Sequence, residues 1–113
     1  MSPSKYHSIK TVVDNITFAS KREAERYYQL KLLARARVIA DLRLQPEFQF
    51  LIAGKKIFSY FADFSYIDLK RRGGAERRIV IEDVKSPATQ KLSTYRLKKK
   101  LIEAQYQITI TEV

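Results

Sequence analysis

The spacing of apolar residues switches between two periods along the chain, and each switch marks an element. TVVDNITF, residues 11–18, reads as two short strands about Asp14–Asn15, a dipeptide suited to a tight hairpin turn. From Ser20 the period becomes helical. Ser20 with Glu23 three positions later forms a capping-box pattern, and Ala, Leu, Arg, Lys and Glu dominate the stretch after it, which predicts a helix over 21–40. One apolar stripe runs through Tyr27, Leu30, Ala34 and Val38, a second through Tyr28, Leu32 and Ile39, so much of this helix is expected to be covered. RLQPEFQFLIA (43–53) predicts a strand with Pro46 near its start, where a missing N–H is tolerated. After a turn at Gly54–Lys55, KIFSYFADFSYIDL (56–69) predicts one long aromatic strand. KRRGGAER (70–77) is a turn about Gly73–Gly74, and RIVIEDVK is the next strand, broken by Ser86–Pro87. QKLSTYRLKKKLIEAQY (90–106) predicts a second helix, and YQITITEV a last strand that alternates Ile with Thr. The order ββ-α-βββ-α-β implies an α/β (α+β) protein, a single domain over 1–113 with helices packed on a mixed sheet. Residues 1–10 are expected to form a flexible N-terminus.

Composition narrows the chemistry. With 113 residues and 45% hydrophobic content the chain builds one modest core. It has no cysteine, which excludes disulfides, zinc–thiolate sites and cysteine catalysis. Its one histidine, His7, lies in a polar stretch and takes no assigned role, so catalysis by a His pair is not expected. No run approaches 18 apolar residues and the first fifteen lack the apolar stretch of a signal peptide, so the expected location is the cytoplasm. Lys and Arg total 22 against 12 Asp and Glu, a net charge of +10 that calls for a polyanionic partner, nucleic acid first. Solubility alone is the plainer explanation.

RIVIEDVKS (78–86) holds the candidate chemistry, because an apolar strand passes without a turn into acid, acid and base. A turn centred on Gly73 sets Asp63 opposite Asp83, with Cβ atoms about 5 Å apart. Lys85, two residues further, points to the same face. Opposed carboxylates repel unless one holds a proton or a cation sits between them, and oxygen ligands suit Mg²⁺ or Mn²⁺. A neighbouring ammonium orients a water or offsets charge building on a phosphorane. The competing explanation is a solvated pair or edge-strand charges that deter aggregation. Glu23 heads the stripe Tyr27, Leu30, Ala34 and is either a cap or a member of the site. Glu82 should point to the opposite face and be structural. On helix 2, Lys91, Arg96, Lys98, Lys99 and Lys100 emerge between two apolar sides (Leu92, Tyr95, Ile102 and Leu97, Leu101, Ala104), placed to grip phosphates or simply to face solvent. Arg71, Arg72, Arg77 and Arg78 flank the hairpin turn and are expected to reach a duplex backbone. Since opposed aspartates repel, Asp83→Asn without metal is expected to raise thermal stability.

A helix opening S-K-x-E, then A-D-F on a strand, then an apolar strand ending E-D-V-K resembles the PD-(D/E)xK nuclease superfamily. The nearest likeness is to a small, mostly phage-encoded branch described only as a domain of unknown function. ITFASKREAERYYQLKLL is similar to that branch's first helix and LQPEFQF to its next strand, and the likeness covers roughly residues 11–113. It implies the restriction-endonuclease-like fold, a central mixed sheet flanked by helices. It also implies that Asp63 and Asp83 bind a divalent metal with the Val84 backbone carbonyl, that Lys85 positions the attacking water, and that Glu23 completes the metal shell or orients water. Cleavage in the superfamily leaves a 5′-phosphate and a 3′-hydroxyl. Ala62 replaces the proline of the motif name, and Glu82 leaves the choice of ligand between itself and Asp83 open, with the two-residue spacing to Lys85 favouring Asp83.

The expected function is therefore an Mg²⁺-dependent (or Mn²⁺-dependent) DNA endonuclease. Small dimeric members of the superfamily resolve four-way junctions, so a structure-selective or Holliday-junction-resolving enzyme of phage DNA recombination is the refinement. The expected partners are DNA and a second copy of the chain, with no membrane and no organic cofactor, in the host-cell cytoplasm if phage-encoded. Two alternatives stand beside it: a catalytically silent basic DNA-binding module with the same fold, and a subunit that binds an acidic protein.

Overall fold

The computed structural model describes residues 9–69 and 78–113. The expected hairpin at the N-terminal end is present, β1 (Thr11–Val13) antiparallel to β2 (Ile16–Phe18), with Asp14 and Asn15 at positive φ in the turn. Helix α1 (Lys21–Arg35) opens where Ser20 Oγ accepts the Glu23 amide at 3.1 Å. The Tyr27 hydroxyl donates to Asp14 Oδ2 at 3.0 Å and ties the hairpin to the helix.

The helix ends five residues before the sequence pattern does. Arg37 adopts φ 59°, and the amides of Arg37 and Val38 turn back to the carbonyls of Ala34 and Leu33 at 3.1 and 2.9 Å. This left-handed cap usually employs glycine, so no residue type announced it. Val38 and Ile39, expected on the helical stripes, instead lead into strand β3 (Ile39–Leu44). The second stripe is open as well: Tyr28 and Leu32 are exposed, while Tyr27 and Leu30 are buried.

The long strand expected over 56–69 is two strands. β4 (Glu47–Ile52) pairs with β5 (Lys55–Phe61), and β3 pairs with β6 (Phe64–Asp68), both antiparallel. One register runs through both pairs, since Leu44 faces Phe64 and Glu47 faces Phe61. The two halves form a single long ribbon, bent at Gln45–Pro46 and Ala62–Asp63. There the Gln45 amide bonds the Asp63 carbonyl at 2.9 Å and the Ala62 amide bonds the Pro46 carbonyl at 3.1 Å. Pro46 supplies no donor and Gln45 sits at φ 50°, which suits a bend rather than a continuous ladder.

The main sheet has the order β3-β6-β7-β8. β7 (Arg78–Asp83) is antiparallel to β6 and parallel to the final strand β8 (Ile110–Glu112), so the sheet is mixed as expected. Between β7 and β8 come a short helix α2 (Pro87–Gln90), capped by Ser86 Oγ on the Thr89 amide at 3.2 Å, and α3 (Ser93–Tyr106). Ser86–Pro87 thus ends the strand by starting a helix, with proline in the first turn where its missing N–H costs nothing.

β7 is buried on both faces. Val80 joins Phe64, Tyr66 and Leu30 beneath α1, whereas Ile81 joins Tyr60, Ala62, Ile102 and Ile110 beneath α3. Ile79, expected inside, is exposed. The alternation continues into the acids, and Glu82 points to the α1 face. Its carboxylate accepts Arg26 Nε at 2.8 Å and Nη2 at 2.6 Å, together with the Tyr66 hydroxyl. Glu82 is therefore structural, and burial followed by this bond pushes the Tyr66 phenol up to about 12.

Arg26→Ala leaves the buried Glu82 carboxylate without its cation, at a cost of about 3–5 kcal/mol, whereas a joint Arg26→Met and Glu82→Leu replacement recovers most of that loss. Denaturant unfolding of the two variants against the parent measures both.

Candidate functional site

The β6–β7 ladder fixes the geometry of the acidic cluster. Its pairs run from Asp68–Arg78 to Phe64–Glu82, so the next residues on each strand, Asp63 and Asp83, stand together at its end. The Asp63 amide bonds the Glu82 carbonyl at 3.0 Å and reaches Asp83 Oδ1 at 3.2 Å. In return the Val84 amide donates to Asp63 Oδ2 at 2.7 Å. Lys85 Nζ lies 3.7 Å from Asp63 Oδ2 and 3.9 Å from Asp83 Oδ1, so the three side chains expected to converge do so.

Asp83 is fully buried and held from the α3 side. Its Oδ2 accepts the Tyr60 hydroxyl and is approached by the Tyr95 hydroxyl at 3.4 Å, whose nearer acceptor is Glu112 Oε2 at 2.9 Å. Burial first, and the Asp83 charge after it, hold both phenols well above the ordinary tyrosine range, so they remain donors. The Tyr95 ring also lies under Lys85, with Nζ 5.8 Å from its centroid.

Glu23, Asp63, Val84 and Lys85 share the wall of an open cavity of about 870 Å³, together with Lys21, Arg22, Gln45 and Thr89. Glu23 is both cap neighbour and cavity residue: its amide serves the cap while its buried side chain faces the site. Its carboxyl is pushed up to about 6 by burial and by Asp63, against the pull of Lys85 and a backbone hydrogen bond from Ala19. Asp63 is likewise raised, by burial before all else and by Asp83, although Lys85 and the Val84 amide oppose the shift. One ammonium therefore does not neutralise the cluster.

Asp63 offers carboxylate oxygens on the cavity wall, the donor type that suits a hard divalent cation, with the fully buried Asp83 bonded to its amide behind it. The fit is a pair rather than a cage. Among the described residues no three His, Cys, Asp or Glu side chains form one metal-holding group, and Glu23 lies on the cavity wall.

The basic residues divide. Lys91, Arg96 and Lys100 are exposed and line a shallow groove on α3. Lys98 lies over the Phe58 ring at 5.5 Å and Lys99 pairs with Glu112 at 3.2 Å, so those two are engaged by neighbouring side chains. The lysines do not emerge between two packed sides, because Leu92 and Leu97 are exposed and Ile102 is buried. Arg71, Arg72, Arg77 and His7 lie outside the described residues.

Tyr60, Tyr95, Lys21, Arg22 and Gln45 were not singled out by motif. Two signals point to all but Gln45: a tyrosine within an apolar stripe needs a partner for its hydroxyl, and paired cations in a first helical turn oppose the helix dipole.

The hydrogen bonds around Asp83 reverse the stability expected of its amide variant. An asparagine there cannot accept at both ends, so either the Tyr60 hydroxyl or the Asp63 amide loses its partner. Asp83→Asn is expected to cost about 1–3 kcal/mol. At Asp63, whose charged form the fold disfavours, Asp63→Asn keeps an acceptor for Val84 and raises the melting temperature in chelator at pH 7. Thermal melts of the two variants give opposite signs. Glu23 supplies a pH signature. Its carboxyl is raised from 4.5 to about 6 in the fold, so the native state holds this proton where the unfolded chain has lost it. Its contribution to stability is full below pH 4.5 and disappears as pH rises through 6. Melts from pH 4 to 7.5 should show Glu23→Gln gaining on the parent across that window and levelling above it.

No helix among the described residues is long and apolar enough to cross a membrane. No curated protein and no solved structure matches the chain. A family model does, over residues 3–112, and the chain belongs to that family, described as a protein of unknown function (DUF1064).

Proposed function

We propose that the protein is a divalent-metal-dependent DNA endonuclease of the PD-(D/E)xK type. The observation that carries the reading is the Lys85 ammonium 3.7 and 3.9 Å from two neighbouring aspartates, on strands that end together at an open cavity. Asp63 and Asp83 would hold Mg²⁺ or Mn²⁺, helped by the Val84 backbone carbonyl, and such an ion supplies Lewis acidity toward a phosphodiester oxygen and its bound water. The chain provides the rest. Tyr60 and the Asp63 amide hold the Asp83 carboxylate in one orientation. Lys85 Nζ offers a donor to an attacking water and positive charge to the phosphorane. Glu23, with its carboxyl near 6, is matched to accept a proton from water at neutral pH. Attack of water at phosphorus, its proton passing to Glu23, breaks the bond to the 3′-oxygen, which takes a proton from solvent and leaves as a 3′-hydroxyl, with the 5′-phosphate on the other product. Lys21 and Arg22 on the cavity wall suit flanking phosphates, and a net charge of +10 suits DNA. A dimer that nicks four-way or branched DNA is the refinement, with a cytoplasmic setting, phage-encoded, as its context.

One observation favours a second reading, a silent DNA-binding module. Lys85 already stands between the two carboxylates, and Asp83 is sealed beneath Tyr60 and Tyr95.

A panel of single-stranded, duplex, flap and four-way DNA with Mg²⁺ or Mn²⁺ against chelator separates the two. Metal-dependent nicking that falls at least about 100-fold in Lys85→Ala and Asp83→Ala is expected, with chelator-insensitive DNA binding retained by Lys85→Ala. Uncut DNA in every lane, with binding that survives Asp63→Asn, makes the protein the silent module.

A further inference from the structure

Among the described strands, β4 and β5, the outer half of the bent ribbon, pair only with each other. Their inner residues are anchored on α3: Phe48, Phe50 and Phe58 pack into its core, the Tyr106 hydroxyl bonds the Gln49 carbonyl at 2.8 Å, and Gln105 clamps the Gln49 carbonyl and the Leu51 amide, both at 2.9 Å. Beyond that clamp residues 51–57 are all exposed. Leu51, Ile52 and Ile57 present large aliphatic side chains to solvent, 42, 56 and 52% accessible. Lys55 and Lys56 sit among them, paired across the ribbon with Ile52 and Leu51. An apolar tip of this kind marks a contact surface.

Charge decides what covers it. From residue 48 to 62 there is no acidic side chain. Two copies meeting tip to tip would set Lys55 and Lys56 against their own kind with no carboxylate to answer them. A polyanion answers them directly. Single-stranded nucleic acid is held by stacking bases on aromatic rings, yet residues 51–57 contain none, and Phe50 and Phe58 are stacked on each other at 5.1 Å toward the core. Lysines beside aliphatic wedges on a two-stranded ribbon suit the groove and backbone of a duplex.

Position supports this. Gln45 and Asp63, joined at the bend, both line the catalytic cavity, so the ribbon springs from its rim. Eight residues at roughly 3.3 Å each put Lys55 roughly 25 Å along the ribbon from Asp63. That is less than one turn of B-form duplex, about 34 Å.

We propose that the β4–β5 ribbon is an arm that binds duplex DNA within one helical turn of the phosphodiester at the Asp63–Asp83–Lys85 site, with Lys55 and Lys56 on phosphates and Leu51, Ile52 and Ile57 in the groove. Its placement beside a scissile bond rests on the nuclease reading; its affinity for duplex does not.

The test measures anisotropy of a labelled duplex of about three helical turns, and of a single strand of equal length, in chelator across a salt series. Lys55→Ala/Lys56→Ala is expected to reduce the slope of log K against log salt for duplex by about 2. Ile52→Ser/Ile57→Ser is expected to weaken duplex binding about tenfold with the slope unchanged. Both variants should melt with the parent and bind single strands as it does. Parental duplex affinity in both variants overturns the arm, as does an equal loss on single strands. A fall in sedimenting mass overturns it too, since the ribbon would then join two copies. A protein that binds duplex through the arm but cuts nothing keeps the arm and ends the nuclease reading; a cutting protein with arm variants of parental affinity does the reverse.

Discussion

Two carboxylates buried on consecutive residues of one strand are the constraint around which this fold is arranged. Glu82 is 2% exposed and Asp83 fully buried, and because they alternate they face opposite layers. A buried carboxylate without partners costs several kcal/mol, so each layer must deliver donors to the same end of β7. The α1 layer delivers Arg26, with Tyr66 from the neighbouring strand. The α3 layer delivers Tyr95, with Tyr60 from the bent ribbon. The strand end thus becomes a fixed point against which both helices are registered. The chain's last strand is tied to the same point, because the Val113 amide bonds the Asp83 carbonyl at 2.9 Å.

The two carboxylates differ in what their partners leave over. Glu82 receives a bidentate guanidinium, which matches its charge and its geometry together. Asp83 receives neutral donors, and Lys85, which pairs with it, is shared with Asp63 at ion-pair rather than hydrogen-bond distance. The α1-face carboxylate has a guanidinium to itself, whereas Asp83 shares Lys85 with Asp63. A residue pair that merely stabilised the fold would be expected to resemble Glu82–Arg26. The raised carboxyls of Asp63 and Glu23 are what support the proposal of an added cation at that end of the sheet.

The same contrast explains what was legible from residues alone. The β6–β7 register, the Ser20 cap and the opposite orientations of Glu82 and Asp83 follow from local rules, alternation and hydrogen-bond chemistry, and they are seen in the structure. The end of α1 was invisible because Arg37 occupies a left-handed cap that glycine usually marks. The bend of the aromatic strand at Ala62–Asp63 was invisible because its cause lies on the partner strand, at Gln45–Pro46. Tyr60 and Tyr95 read as core aromatics, since their rings are core; only their hydroxyls, one reaching Asp83 directly and the other lying between Asp83 and Glu112, make them part of the site. Local patterns disclosed what local forces set, and tertiary hydrogen bonds set the rest.

The distribution of charge bears on the proposed polyanionic partner. Contacts within the fold engage several cations: Arg26 goes to the buried Glu82, Lys99 to the exposed Glu112, and Lys98 covers Phe58. Taking these out of the surface still leaves a large excess, because each ion pair removes one charge of either sign. What remains is not spread evenly. Lys21 and Arg22 stand on the cavity wall, Lys55 and Lys56 at the ribbon tip, and Lys91, at the end of α2, beside Arg96 and Lys100 of α3. If solubility alone were selected, cations would not be expected in the first turn of α1, where the helix dipole opposes them, next to the mouth of an acidic site. There they repel one another and the helix end at close range, and a bound phosphate backbone relieves both repulsions at once.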